Sequence, residues 1–160
     1  MLKQKIRKNT LSSIRAIQPN DRFERDQRIS MFIAQLAQSY QQVASYQPMT
    51  HEIRCRLSVK GIFYPELAHD KMTFKTQEGK PLDLSVKTLM LVPGIAFNAK
   101  GYRVGMGKGY FDRYLIAKPM IHTVGVLYRE QLIEFMPMSH DVPVMTLCIV
   151  DNQQVSLIEI

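Results

Sequence analysis

The sequence predicts an α/β fold: three layers, with a mainly parallel open sheet, helices on both faces and an antiparallel edge strand. Three observations carry this. Two amphipathic helical stretches open the chain, short apolar runs then replace the helical period, and further helical candidates separate those runs. Parallel strands need such crossovers, so the alternation points to a layered α/β arrangement.

The elements follow in order. Leu2, Ile6, Ile14 and Ile17 lie near helical spacing, and predict a helix over 3–17 with Lys3, Lys5, Arg7 and Lys8 around it. Gln18-Pro19-Asn20 breaks it, and Asp21 reads as the N-cap of a second helix over 21–41. Ile29, Phe32, Ile33, Leu36 and Tyr40 form the apolar stripe of that helix. Strands are expected at 43–46, 61–64, 72–75, 89–92, 123–128 and 147–150, several bounded by Pro or Gly. Helical candidates lie at 51–58, 110–117 and 130–135, and residues 71–88 look like a turn or hairpin. Residues 155–160 read as an edge strand. With no internal repeat or low-complexity tract, one domain over 1–160 is the expectation.

Composition excludes some classes. Apolar residues make up 46% of the 160 and charged residues 22%, a globular balance. No apolar run approaches the roughly 18 residues of a spanning helix, and the charged start MLKQKIRKNT lacks a secretory apolar segment. Cys55 and Cys148 have no motif spacing, so reduced thiols and a cytoplasmic location are expected. The formal charge is +7, and most of the surplus falls before residue 29. Such a basic segment suits nucleic acid, a small polyanion or a solvated helix face. Aromatics are not interleaved with the basic residues, which weighs against a nucleic-acid platform.

The densest chemical signal is GYRVGMGKGYFDRY at 101–114. It follows an apolar strand and precedes a helical segment, an arrangement that favours anions through backbone N–H groups. Neither the Walker spacing nor G-x-G-x-x-G fits it. Arg103 and Lys108 supply cations for phosphate, and Asp112 reads either as a magnesium ligand or as an ordinary first-turn helix acid.

The stretch VPGIAFNAKGYRVGMGKGYFDRYL closely resembles the C-terminal signature of 5-formyltetrahydrofolate cyclo-ligases. LKQKIRK at 2–8, YQPMTHEI at 46–53, FYPELAHDKMTF at 63–74 and SHDVPV at 139–144 are similar to further family segments in the same order. Between Phe74 and Leu89 the chain is shorter than in many members, and Asn98 stands where an acid is usual.

The resemblance implies a cytoplasmic ligase that uses ATP and Mg²⁺ to cyclise 5-formyltetrahydrofolate to 5,10-methenyltetrahydrofolate. It implies small-molecule partners only, with neither nucleic acid nor membrane, and a monomer or weak dimer. Carried over by position, Lys3, Gln4, Lys5, Ile6 and Arg7 approach ATP from the first helix. Arg103, Val104, Gly105, Met106, Gly107, Lys108, Gly109, Tyr110 and Phe111 wrap the triphosphate, with Lys108 and Arg103 the catalytic cations. Asp112 and Asp141 resemble the magnesium-associated acids, and Glu52, Gln47 and Tyr46 the folate pocket. The alternative is a catalytically weak or inactive relative that binds folate or nucleotide.

Overall fold

The computed structural model describes residues 2–160. Helices α1 (Leu2–Arg15) and α2 (Pro19–Ala37) are followed by β1 (Gln42–Ala44). Then come β2 (Tyr64–Ala68), β3 (Lys71–Lys75), β4 (Thr88–Val92), β5 (Ala96–Phe97) and β6 (Arg103–Val104). The short α3 (Tyr110–Tyr114), β7 (Ile121–Tyr128), a 3₁₀ turn (Arg129–Gln131), β8 (Thr146–Val150) and β9 (Val155–Glu159) complete the order.

Five strands form the main sheet in the order β1-β4-β7-β8-β9. The first four are parallel, and β9 returns antiparallel along the edge, as the sequence predicts. The central strands β4 and β8 are buried along their whole length, which explains why they read as continuous apolar runs rather than alternating ones. Leu89, Leu91, Val124, Val126, Tyr128, Cys148 and Val150 meet Ile14, Ile29 and Ile33 of the two long helices on one face. Met90, Val92, Leu127, Leu147 and Ile149 face the opposite layer, where Phe63, Phe74 and Phe97 pack with the aromatics of α3. That second layer consists of the β2–β3 and β5–β6 hairpins and the five-residue α3.

Several local expectations are corrected. Asp21 is not the N-cap of α2: Gln18 holds that position in extended backbone, and Pro19 starts the helix where its missing N–H costs nothing. Asp21 sits in the first turn and pairs with Arg25 at 3.0 Å. Residues 51–58 form no helix, because their backbone groups bond to side chains of neighbouring elements instead of to one another. The candidate at 110–117 stops at Tyr114, with Ala117 at positive φ, and the one at 130–135 is only the 3₁₀ turn. The hairpin lies at 64–75, earlier than expected, and turns through His69 and Asp70 at positive φ. Residues 76–87 follow as turns and irregular backbone, with one bridge between Lys75 and Pro81.

Candidate functional site

The glycine-rich loop does not leave β4 directly. Pro93 and Gly94 end that strand, and β5 and β6 then form an antiparallel hairpin. Asn98 organises its turn: the side-chain oxygen accepts from the Lys100 and Tyr102 N–H groups, and the amide nitrogen donates to Phe135 O. An ionised acid could not make the last bond, which accounts for the amide at this position.

Gly105–Gly109 emerges from β6, with Gly107 at φ +99° and Gly109 at +69°. Those left-handed positions strain any residue with a Cβ. Arg7 Nε donates to Gly105 O at 2.8 Å, and Arg113 Nη1 donates to Lys108 O at 2.9 Å, so both flanks of the loop are tied down. Met106 and Lys108 are exposed at its tip. The helix that follows has only five residues, so an anion bound here would depend on loop backbone and side-chain cations more than on a helix dipole.

Arg103 lies behind the loop. Its guanidinium donates to Pro93 O at 3.2 Å and stacks 4.8 Å from the Phe111 ring. Burial pushes its pKa down, while Asp112, Glu52 and Asp141 pull it up. The guanidinium stays charged, since arginine does not deprotonate in proteins. This cation therefore sits within electrostatic reach of all three candidate carboxylates.

Helix α1 presents Lys3 and Arg7, one turn apart, to the same cleft. Ile6 is buried against Ala96 and Val104 and anchors the helix on the β5–β6 hairpin. Gln4 and Lys5 are exposed and do not line the cleft, and Val104 belongs to the packed interface.

Opposite these cations stand Asp112 and Asp141. Asp112 accepts the Val142 N–H at 3.0 Å, which ties α3 to the 138–144 loop. Asp141 accepts the Met138 N–H at 2.8 Å, pairs with Lys3 at 3.3 Å and lies 3.5 Å from His140 Nε2. Its side chain is only 4% exposed, so these contacts fix its orientation. Among the described residues, no three His, Cys, Asp or Glu side chains form a cluster able to hold a metal on their own.

At the far end, Glu52 accepts the Met49 N–H at 2.8 Å and turns its other oxygen toward His51, 4.0 Å away. Burial raises its pKa above the usual carboxylate range, against the lowering effects of that N–H and of Arg103. Tyr46 is buried and donates its hydroxyl to Ile53 O at 2.7 Å, while Gln47 is exposed at the rim.

One cleft of about 900 Å³ joins these groups, from Lys3, Arg7 and the glycine loop through Arg103 to Glu52, Gln47 and Tyr46. Sequence reasoning missed its apolar wall of Leu67, Met72, Ile116 and Met138, whose spacing carries no recognisable pattern. It also missed the buried Gln131, whose amide donates to the carbonyls of Gly94 and Ile95 and so supports the cleft floor. The shortened 75–88 segment contributes Pro81, Leu82 and Leu84 to a separate cavity of about 550 Å³ beyond Met72 and Tyr110.

A sequence profile of the 5-formyltetrahydrofolate cyclo-ligase family matches residues 68–150. The 5-formyltetrahydrofolate cyclo-ligase of Mycoplasma pneumoniae is 27% identical over 155 residues, covering 89% of this chain and 94% of the relative. A solved 5,10-methenyltetrahydrofolate synthetase from Mycoplasma pneumoniae superposes with a TM-score of 0.81 at 25% identity, covering 96% of this chain and 100% of that one. The NMR structure of the Aquifex aeolicus 5,10-methenyltetrahydrofolate synthetase gives 0.73 at 25% identity, covering 97% and 92%.

Proposed function

This chain belongs to the 5-formyltetrahydrofolate cyclo-ligase family, and from that premise we propose that it couples ATP hydrolysis to closure of 5-formyltetrahydrofolate into 5,10-methenyltetrahydrofolate. The observation that carries the reading is the continuity of the cleft, which puts a phosphate-suited loop and a buried carboxylate on one cavity.

The chemical difficulty is a formyl carbon that is a poor electrophile with a poor oxygen leaving group. Transfer of the γ-phosphoryl group to the formyl oxygen, with departure of ADP, makes that oxygen a good leaving group. N10 then attacks the formyl carbon and inorganic phosphate departs. Neither step needs a protein nucleophile; positioning and neutralisation of charge are the demands, as in phosphoryl transfer generally. Lys108 at the exposed loop tip meets the γ-phosphate. Arg103, braced by Pro93 O and Phe111, stabilises charge where phosphate and formyl oxygen meet. Lys3 and Arg7 face the rest of the triphosphate, and Gly105, Met106, Gly107, Gly109, Tyr110 and Phe111 form its backbone and aromatic cradle. Ile6 and Val104 hold that cradle together, with Gln4 and Lys5 on the outer face of α1.

Asp112 and Asp141 fit magnesium, which takes hard oxygen ligands and uses only one or two carboxylates beside phosphate and water. Bound there, it would neutralise phosphate charge. Glu52 accepts paired N–H bonds from the pterin, where a carboxylate is the complementary group, and Tyr46 and Gln47 flank it. The enzyme works as one domain over 1–160, as a monomer or weak dimer in the cytoplasm, on small molecules without nucleic-acid or membrane partners.

The test is to incubate purified protein with ATP, magnesium and 5-formyltetrahydrofolate and follow the near-ultraviolet absorbance of the methenyl product. Appearance of product only when all three are present is expected. Tight folate binding with no product would favour the inactive relative instead.

A further inference from the structure

Residues 50–56, which carry Glu52, have no helix or strand to hold them. Their backbone is held from α2. Arg22 Nη2 donates to Glu52 O at 3.1 Å and also to Thr50 O. Asp26 Oδ2 accepts the Arg54 N–H at 3.4 Å, and Ser30 Oγ accepts the Arg56 N–H at 2.9 Å. Residues 22, 26 and 30 are four apart, so they form one stripe of the helix. Four helical residues rise about 6 Å, and two extended residues span about 6.6 Å. The stripe therefore keeps step with every second residue of the extended segment.

Tyr128 at the end of β7 closes the arrangement. Its hydroxyl accepts from Arg22 Nε at 2.9 Å and donates to Asp26 Oδ1. The Arg22 guanidinium is thus fixed at Nε by the Tyr128 hydroxyl and presents Nη2 to the carbonyls of Thr50 and Glu52. A lysine at this position has no fork with which to reach both.

We propose that Arg22, braced by Tyr128 and Asp26, is a positioning residue for Glu52 and so sets affinity for the folate rather than for the nucleotide. This deepens the reading of Glu52 as the pterin-binding carboxylate and rests on it. Arg22 is absent from the cleft lining, so its influence runs through the segment it holds.

The experiment compares wild type with Arg22→Met, Arg22→Lys and Tyr128→Phe in two readouts. In steady-state kinetics, Arg22→Met is expected to raise KM for 5-formyltetrahydrofolate about tenfold, leaving KM for ATP within about twofold, with Arg22→Lys restoring little and Tyr128→Phe showing a smaller shift of the same kind. In limited proteolysis below the unfolding temperature, trypsin is expected to cut after Arg54 and Arg56 about tenfold faster in Arg22→Met. An unchanged folate KM alongside faster cleavage overturns the role in substrate affinity, and unchanged cleavage overturns the brace itself. KM values for both substrates rising together show a general structural effect and also overturn it. Should Arg22→Met fail to fold, Tyr128→Phe, which keeps the ring, decides by the same two readouts. Wild-type protein that makes no methenyl product overturns the cyclo-ligase reading, and the cleavage rates then judge the brace by themselves.

Discussion

At Glu52, burial raises the carboxyl above its ordinary range while the Met49 N–H and Arg103 oppose the shift. The folded pKa is raised, so its stabilising contribution is complete below the ordinary carboxylate value and is lost as pH rises through the folded value. Ionised Glu52 is therefore a cost to the empty protein at neutral pH, recovered when N–H donors bind it. Glu52→Gln, which keeps an oxygen for the Met49 N–H, is expected to raise Tm by about 2 °C. The same variant should weaken 5-formyltetrahydrofolate binding at least about tenfold. In wild type, calorimetry should show affinity falling with acidification from a pH above the usual carboxylate range, and Glu52→Gln should lose that dependence. Lys108 presents the opposite case: its side chain is exposed and makes no hydrogen bond or ion pair among the described residues. Lys108→Ala is expected to leave Tm unchanged and lower turnover about a hundredfold, the scale of losing one transition-state donor. Full turnover in that variant would remove Lys108 from the catalytic assignment.

The glycine loop shows how differently neighbouring glycines are used. A Cβ at Gly105 would fall 2.7 Å from Arg103 Nη1, and the guanidinium is held between Pro93 O and the Phe111 ring. Gly105→Ala is expected to push the guanidinium off its position and lower turnover at least about tenfold, with little change in Tm. At Gly101, φ is +86° and a Cβ would meet Val144 O, a backbone atom, at 2.7 Å. Gly101→Ala should cost about 1–3 kcal/mol of stability, measured by urea unfolding, since the backbone cannot give way. Both glycines were legible in the sequence as part of one motif, but which guards chemistry and which guards the fold depends on contacts across the chain. The same limit explains residues 51–58. Their composition suits a helix, and nothing local announces that Arg22, Ser30 and Tyr46 will take their backbone groups. Propensity is a weak prior that such tertiary bonds override.

Across the whole molecule, the cleft is assembled from α1, the 46–52 segment, the β2–β3 hairpin, residues 93–95 after β4, the glycine loop with α3, and the 138–141 loop. The parallel strands were legible as continuous apolar runs and the long helices by their period, because burial dictates both patterns. The residues assigned to the cleft were legible only through motif spacing, so its unpatterned apolar wall was not. Direct ties between α1 and the rest of the cleft are few: Lys3 to Asp141, Arg7 to Gly105 O, and the packing of Ile6. Lys3 and Arg7 face a gap that a polyanion would bridge, so a nucleotide there would bind the folded state and not the unfolded chain. A ligand at about a hundred times its Kd stabilises by about 2.7 kcal/mol. For a chain of this size that corresponds to a Tm rise of about 5–11 °C. Thermal unfolding with ATP and magnesium should show a rise of that order. Chelation of the metal should shrink it, because Asp112 and Asp141 would then face the phosphates without an intervening cation. In Arg7→Ala the ATP-dependent rise should fall by several degrees while the folate-dependent rise persists. Equal loss of both would mean that α1 serves the fold and not the nucleotide.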